Sequence, residues 1–181
     1  RRRCALRGAL RSGGARRLNE AGPVLRAALA DVPDVRIIHQ TGADMEDAVR
    51  AAYAAIGADA DVRAFITDMR SAYDAADLVV CRAGATTVSE IAVIGRPALV
   101  VPYPHALDHD QAANAAALAA AGGAEVHPQS CLSPDRLAQL IGTAISEPER
   151  LARTAADAKS VGRPNAARLL ADLTEAIASG R

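Results

Sequence analysis

The chain has 181 residues, half of them apolar, with 21 basic and 21 acidic side chains and no formal net charge. That length suits one domain with a core that needs no covalent staples, and the charge balance argues against a nucleic-acid partner, whose binders carry an excess of basic residues. The cysteines are odd in number and show no metal-ligand spacing, which reads as reduced thiols; no apolar run reaches the length of a membrane span, and nothing reads as a signal peptide.

Residues 1–13 hold Arg1, Arg2, Arg3, Arg7 and Arg11, and their apolar residues are interrupted by Arg7 and Gly8, so they make a poor strand. Two readings stand: a terminus that is not native strand, or a basic arm meeting anionic lipid or a partner domain. Apolar spacing then predicts a helix over 16–30 and a short strand over 35–39 before the turn at Gln40, Thr41 and Gly42. A helix over 44–56 follows, then a strand over 62–66, and Asp68 caps a short helix that runs to Ala75. Residues 78–81 form a strand, 87–94 its helix, and Gly95, Arg96 and Pro97 end that helix before a strand over 98–101. The loop of Pro102, Tyr103, Pro104 and His105 leads to a helix over 110–121, and Gly122 and Gly123 precede a final strand over 124–127. Ser133 and Pro134 start a helix over 134–145, Pro148 starts another, and Pro164 the last, through Ile177. Strands alternating with helices define an α/β fold with a doubly wound parallel sheet.

The most informative stretch is 77–90. Four apolar residues, Leu78 to Cys81, end at Arg82, Ala83, Gly84 and Ala85, and a helix carrying Glu90 begins at once. A fully apolar strand suits burial on both faces. Small residues let a ligand approach the backbone, Thr86 or Thr87 caps the helix, and the open N–H groups at its start suit a phosphate. Glu90 points back toward that end, where a carboxylate accepts hydrogen bonds from ribose hydroxyls. Ligands of such folds bind at the carboxyl ends of the strands, so the residues to weigh are 40–42, 66–68, 82–87 and 102–111. His39 reads as a strand end rather than a base, and Cys81 as a small buried hydrophobe. His105 either packs in its proline-rich loop or faces the ligand. Asp108 and His109 share one loop with no distant partner, which is too little for a metal site.

Taken together, Cys81 to Glu90, Gly95 to Ala98, Val101 to His105, Ala15 to Glu20, His39 to Gly42, Phe65 to Met69, and Gln111 with Asn114 resemble the bacterial MurG glycosyltransferases. The resemblance runs from Gly14 to the C-terminus and implies the donor-binding half of a two-domain GT-B enzyme, occupying 14–181. The implied reaction moves N-acetylglucosamine from UDP-N-acetylglucosamine to an undecaprenyl-linked muramoyl-pentapeptide lipid in peptidoglycan synthesis. It needs no cofactor, and the acceptor lipid binds through a further N-terminal domain at the cytoplasmic side of the bacterial inner membrane. Carried over residue by residue, Ile66 meets the uracil through its backbone and Glu90 holds the ribose hydroxyls. Gly84, Ala85, Thr86 and Thr87 face the pyrophosphate, Gln111 bonds the sugar hydroxyls, and Arg82 shapes the turn. Ser12 fills the serine position of the family's first glycine turn, but Arg11 replaces a glycine before it, and Asp110 stands where Gln or His is usual. A stand-alone UDP-sugar-binding subunit of a two-component transferase is the alternative. A dehydrogenase is disfavoured because no G-x-G-x-x-G follows a strand. No catalytic residue is evident.

Overall fold

The structure, a computed structural model, describes residues 7–11, 16–29, 35–106 and 110–180. Six strands form one sheet: β1 (Arg7–Arg11), β2 (Arg36–Gln40), β3 (Ala60–Arg63), β4 (Leu78–Cys81), β5 (Ala98–Val100) and β6 (Ala124–Val126). Their order is β3-β2-β1-β4-β5-β6, and every pairing is parallel. Residues 7–11, expected to make a poor strand, are therefore the central strand of the sheet. Here tertiary context overrides propensity, because pairing on both sides supplies the hydrogen bonds that the local sequence does little to favour.

Among the described residues, eight α-helices connect and flank the strands: α1 (Arg16–Ala28), α2 (Glu46–Ala55), α3 (Met69–Asp74), α4 (Ala85–Ile94), α5 (Asp110–Ala120), α6 (Pro134–Ser146), α7 (Pro148–Ser160) and α8 (Ala166–Ala178). Both faces of the sheet are covered, as the alternation in β4 demonstrates. Leu78 and Val80 pack with Leu18, Val49, Leu137 and Ile141 from α1, α2 and α6. Val79 and Cys81 pack on the other face with Tyr73, Ile91, Leu118 and Ala158 from α3, α4, α5 and α7. This is a doubly wound α/β domain. Strand β3 ends at Arg63 rather than at Ile66, which leaves Ile66 in the loop beyond it. Helix α4 starts two residues before the expected position, with Gly84 rather than Thr86 or Thr87 at its cap and no side-chain cap bond. Helix α8 starts at Ala166, past Pro164, and buries none of its residues; its Leu169, Leu170, Leu173 and Ile177 are each more than half exposed.

With few aromatics, the layers close through small residues. A Cβ on Gly123 would lie 2.5 Å from Ala158 Cα, so only glycine lets α7 seat against the start of β6. Gly95 ends α4 in the left-handed region at φ +75°, and its N–H donates to Ile91 O at 2.8 Å.

One polar network lies inside the core. His39, wholly buried, places Nε2 3.1 Å from Asn19 Oδ1 and Nδ1 3.2 Å from the Tyr53 hydroxyl, while Asn19 Nδ2 donates to Thr41 O at 3.0 Å. Because the Asn19 amide nitrogen faces Thr41 O, its oxygen accepts from His39 Nε2–H, and Nδ1 accepts from Tyr53. The ring is thus neutral, and burial pushes its pKa down from 6.5 to about 4. The strand that the sequence ended at His39 runs one residue further, to Gln40, and His39 ties α1 to the turn after it.

This network makes stability pH-dependent. The unfolded chain takes up the proton near pH 6.5 and the folded chain only near 4, so the stabilisation is complete above 6.5 and declines as pH falls through that window. The full loss is on the order of 3 kcal/mol. Urea unfolding at a series of pH values should show this decline, and His39→Gln should flatten it between pH 6.5 and 5. An equally steep decline in that variant would assign the effect to other groups.

Candidate functional site

The strand order reverses between β1 and β4, which opens a crevice at their carboxyl ends. Register fixes how the crevice is lined. Arg63, Gln40, Arg11, Cys81, Val100 and Val126 pair in one continuous row across the sheet. The loops that leave this row emerge at the same level, and they carry the residues singled out from sequence. Ser12 lies outside the described residues.

The turn after β4 delivers α4 to this edge. Val88 N–H makes the first bond of the helix, to Gly84 O at 3.0 Å, so the N–H groups of Ala85, Thr86 and Thr87 precede the ladder. Among the described residues, a Cβ on Gly84 would come within 4 Å of the Thr87 hydroxyl alone, at 3.9 Å. Thr86 is exposed and Thr87 buried. Asn114 Nδ2, from α5, donates to Ala83 O at 3.1 Å and fixes the turn from the far side. Open N–H groups and the positive end of the helix dipole make an anion cradle.

Glu90 follows on α4, half-buried, and its Oε2 accepts from the Tyr73 hydroxyl at 3.0 Å. Ile66 is buried, and its backbone N–H donates to Gln40 Oε1 at 3.0 Å. Two residues on, Asp68 caps α3 through Ser71 N–H, and the Ser71 hydroxyl together with that N–H holds its carboxyl below the ordinary aspartate range. Exposed Phe65 stands on the same loop. Gln111, in the first turn of α5, accepts the Tyr103 N–H at Oε1, 2.9 Å away, which leaves its amide NH2 as the donor end. Asp110 turns inward on the helix start, its Oδ1 accepting Gln111 N–H at 2.7 Å.

Arg82 belongs to the wall of the crevice. Its Nη1 donates to Val101 O and Pro102 O at 3.2 and 3.3 Å, its Nη2 to Gln129 Oε1 at 2.6 Å, and its guanidinium lies 5.4 Å from the centre of the Tyr103 ring. Burial lowers its pKa, as does the charge of Arg17, while Tyr103 acts the other way; an arginine stays protonated throughout. His105 packs edge-on against Tyr103, ring centres 5.6 Å apart. Beyond this wall a cavity of about 420 Å³ is lined by Arg17, Tyr103, Pro104, Val126 and Gln129 among others. Among the described residues, no group of three or more His, Cys, Asp or Glu is placed to hold a metal ion.

Sequence reasoning brought Ile66, Glu90, Gln111 and the turn at 82–87 to this edge, and the structure puts them there. It missed Tyr73 and Gln129, whose partners lie 17 and 47 residues away along the chain. No local pattern signals such pairs.

A doubly wound parallel sheet with this strand order defines a Rossmann-like domain of the GT-B glycosyltransferase type. The chain belongs to glycosyltransferase family 28: the profile of that family's C-terminal domain matches residues 12–170. It is 63% identical over 170 residues to the UDP-N-acetylglucosamine–N-acetylmuramyl-(pentapeptide) pyrophosphoryl-undecaprenol N-acetylglucosamine transferase of Mesorhizobium japonicum, covering 93% of this chain and 45% of that protein. The transferase of the same name from Brucella canis is 56% identical over 172 residues, covering 94% and 45%. The crystal structure of Acinetobacter baumannii MurG superposes with a TM-score of 0.83 at 39% identity, covering 93% of this chain and 51% of that one. The chain therefore spans about half the length of the relatives it matches.

The role of Arg82 can be tested by Arg82→Lys, which keeps the charge but offers one ammonium to acceptors in two separate segments. Hydrogen exchange at the Tyr103 and Gln129 amides should rise roughly ten-fold, in line with losing a charged hydrogen bond. The amides of β4 should not change. Unaltered exchange at Tyr103 would show that the wall stands without the guanidinium.

Proposed function

We propose that this chain is the donor-binding half of an N-acetylglucosaminyltransferase that takes UDP-N-acetylglucosamine and acts on an undecaprenyl-linked muramoyl-pentapeptide lipid. The observation that carries the reading is the open α4 N-terminus after β4 with Glu90 behind it, in a chain 63% identical to a transferase named for that donor sugar and that lipid. The diphosphate lies against Gly84, Ala85, Thr86 and Thr87, and Ser12 is a further contact to it. The ribose hydroxyls bond to Glu90. The uracil edge meets the Ile66 backbone; since the Ile66 N–H donates to Gln40, its carbonyl is the group that accepts from the base. Gln111 donates its amide NH2 to a sugar hydroxyl. Arg82 serves the site indirectly, by holding the loop that carries Tyr103.

Chemically, sugar transfer separates the anomeric carbon from the uridine diphosphate, and negative charge grows on the leaving diphosphate. The α4 N–H groups are fixed in place before reaction, so they stabilise that charge without reorganising. The lipid that carries the acceptor hydroxyl is held by the other half of the full-length relatives, which also supplies the group that removes the hydroxyl's proton. The exposed leucines of α8 offer a face on which that half packs. A lipid acceptor places the reaction at a membrane surface, which we assign to the cytoplasmic side of the bacterial inner membrane. Among the described residues no helix is long and apolar enough to cross a membrane, so attachment is peripheral in this reading.

Calorimetric titration should detect binding of UDP and UDP-N-acetylglucosamine and none of ADP; equal affinity for ADP would sink the assignment. In a radiolabelled-sugar assay the 181-residue chain alone should transfer nothing to lipid acceptor, and supplying an acceptor half from a full-length relative should bring transfer back. Holding both substrates in one cleft supplies several kcal/mol of barrier reduction, roughly 7–11 in well-oriented systems. Transfer by the chain alone would show that the acceptor site lies within it.

A further inference from the structure

We infer that Tyr73 is a positioning residue for ribose recognition: its phenol holds the Glu90 carboxylate in the orientation that reads the two ribose hydroxyls. The inference rests on the uridine diphosphate reading of the site.

The ring of Tyr73 is 1% exposed and packs with Val79, Ile91 and Val100 on one face of the sheet. Phenylalanine would fill that volume as well. A phenol there needs a partner, because a hydroxyl buried without one is costly. The partner is Glu90 Oε2 at 3.0 Å, an O–H donor meeting a carboxylate. For stability alone the bond offers about 1 kcal/mol, since Glu90 is only partly buried. What it adds is one fixed carboxylate direction. The rotamer freedom of a glutamate is then lost before the ligand arrives rather than on binding. Tyr53, the other deeply buried tyrosine, uses its hydroxyl differently, on the interior His39 network.

The element that carries Tyr73 strengthens the case. Helix α3 begins three residues after Ile66 and is tied at both ends, by the Asp68 cap on Ser71 N–H and by Arg96 Nη2 donating to Asp74 O at 3.1 Å. Arg96 follows the last turn of α4. The segment that meets the base and the helix that carries the ribose carboxylate are thus joined through one short rigid element, and Tyr73 is its contact to Glu90.

The test compares UDP with 2′,3′-dideoxy-UDP, which lacks both hydroxyls, by calorimetry on the 181-residue chain, Tyr73→Phe, Glu90→Ala and the double variant. The unaltered chain should prefer UDP by roughly ten-fold or more. Tyr73→Phe should lower UDP affinity roughly three- to ten-fold and leave the dideoxy nucleotide unchanged. In the Glu90→Ala background the same substitution should alter neither affinity. Equal losses for both nucleotides, or a loss that persists without Glu90, would show that Tyr73 acts through packing and overturn the inference. A chain that binds no UDP, or whose UDP affinity is untouched by Glu90→Ala, would overturn the underlying reading and the inference with it.

Discussion

The structure depends on one constraint: a parallel sheet buried on both faces whose strand order reverses between β1 and β4. Parallel strands need helical crossovers, and crossovers on both sides leave no exposed sheet face. At the reversal, neighbouring strands send their chains to opposite faces, and the loops part. Because all six strands end in one paired row, that parting becomes a crevice lined at a single level. The anion cradle of α4 is a consequence of where β4 ends, and β4 ends where its partners do.

The site is held by bonds from elsewhere in the fold. Ile66 is tied to Gln40, Glu90 to Tyr73, Gln111 to Tyr103, Ala83 to Asn114, and the loop after β5 to Arg82. Each pair joins two separate segments of the chain. Such bonds contribute about 1 kcal/mol apiece to stability, too little to explain so consistent a placement. Their larger effect is to fix donors and acceptors in place, which in the proposed function removes ordering cost from binding. The interior network of Asn19, His39 and Tyr53 applies the same logic one layer deeper, where it steadies α1 against β2.

Alanine and glycine set how closely these layers meet. With one phenylalanine, three tyrosines and no tryptophan, the core gains little from large rings. Close approach replaces bulk: α7 rests on Gly123, and the connection after it passes Ala92 O at Gly162, where a Cβ would come within 2.6 Å. Packing of this kind is dense and unforgiving, since any added methyl meets backbone rather than a movable side chain.

The sequence by itself determined the alternation of strands and helices, the buried character of β4, the small-residue turn after it and the place of Glu90 on the helix that follows. Those features are local: apolar runs, glycine and proline punctuation, and residues within one helix turn of each other. It also carried the family resemblance, since motifs in order survive without coordinates. Only the tertiary structure decided that residues 7–11 are the central strand, because their pairing comes from β2 and β4 and not from their own propensity. It likewise moved the α4 cap to Gly84 and left Ile66 beyond its strand. Finally it supplied Tyr73 to Glu90 and Gln129 to Arg82, contacts between residues far apart in the chain. Side chains on separate elements meet only when the sheet order and its register bring those elements together.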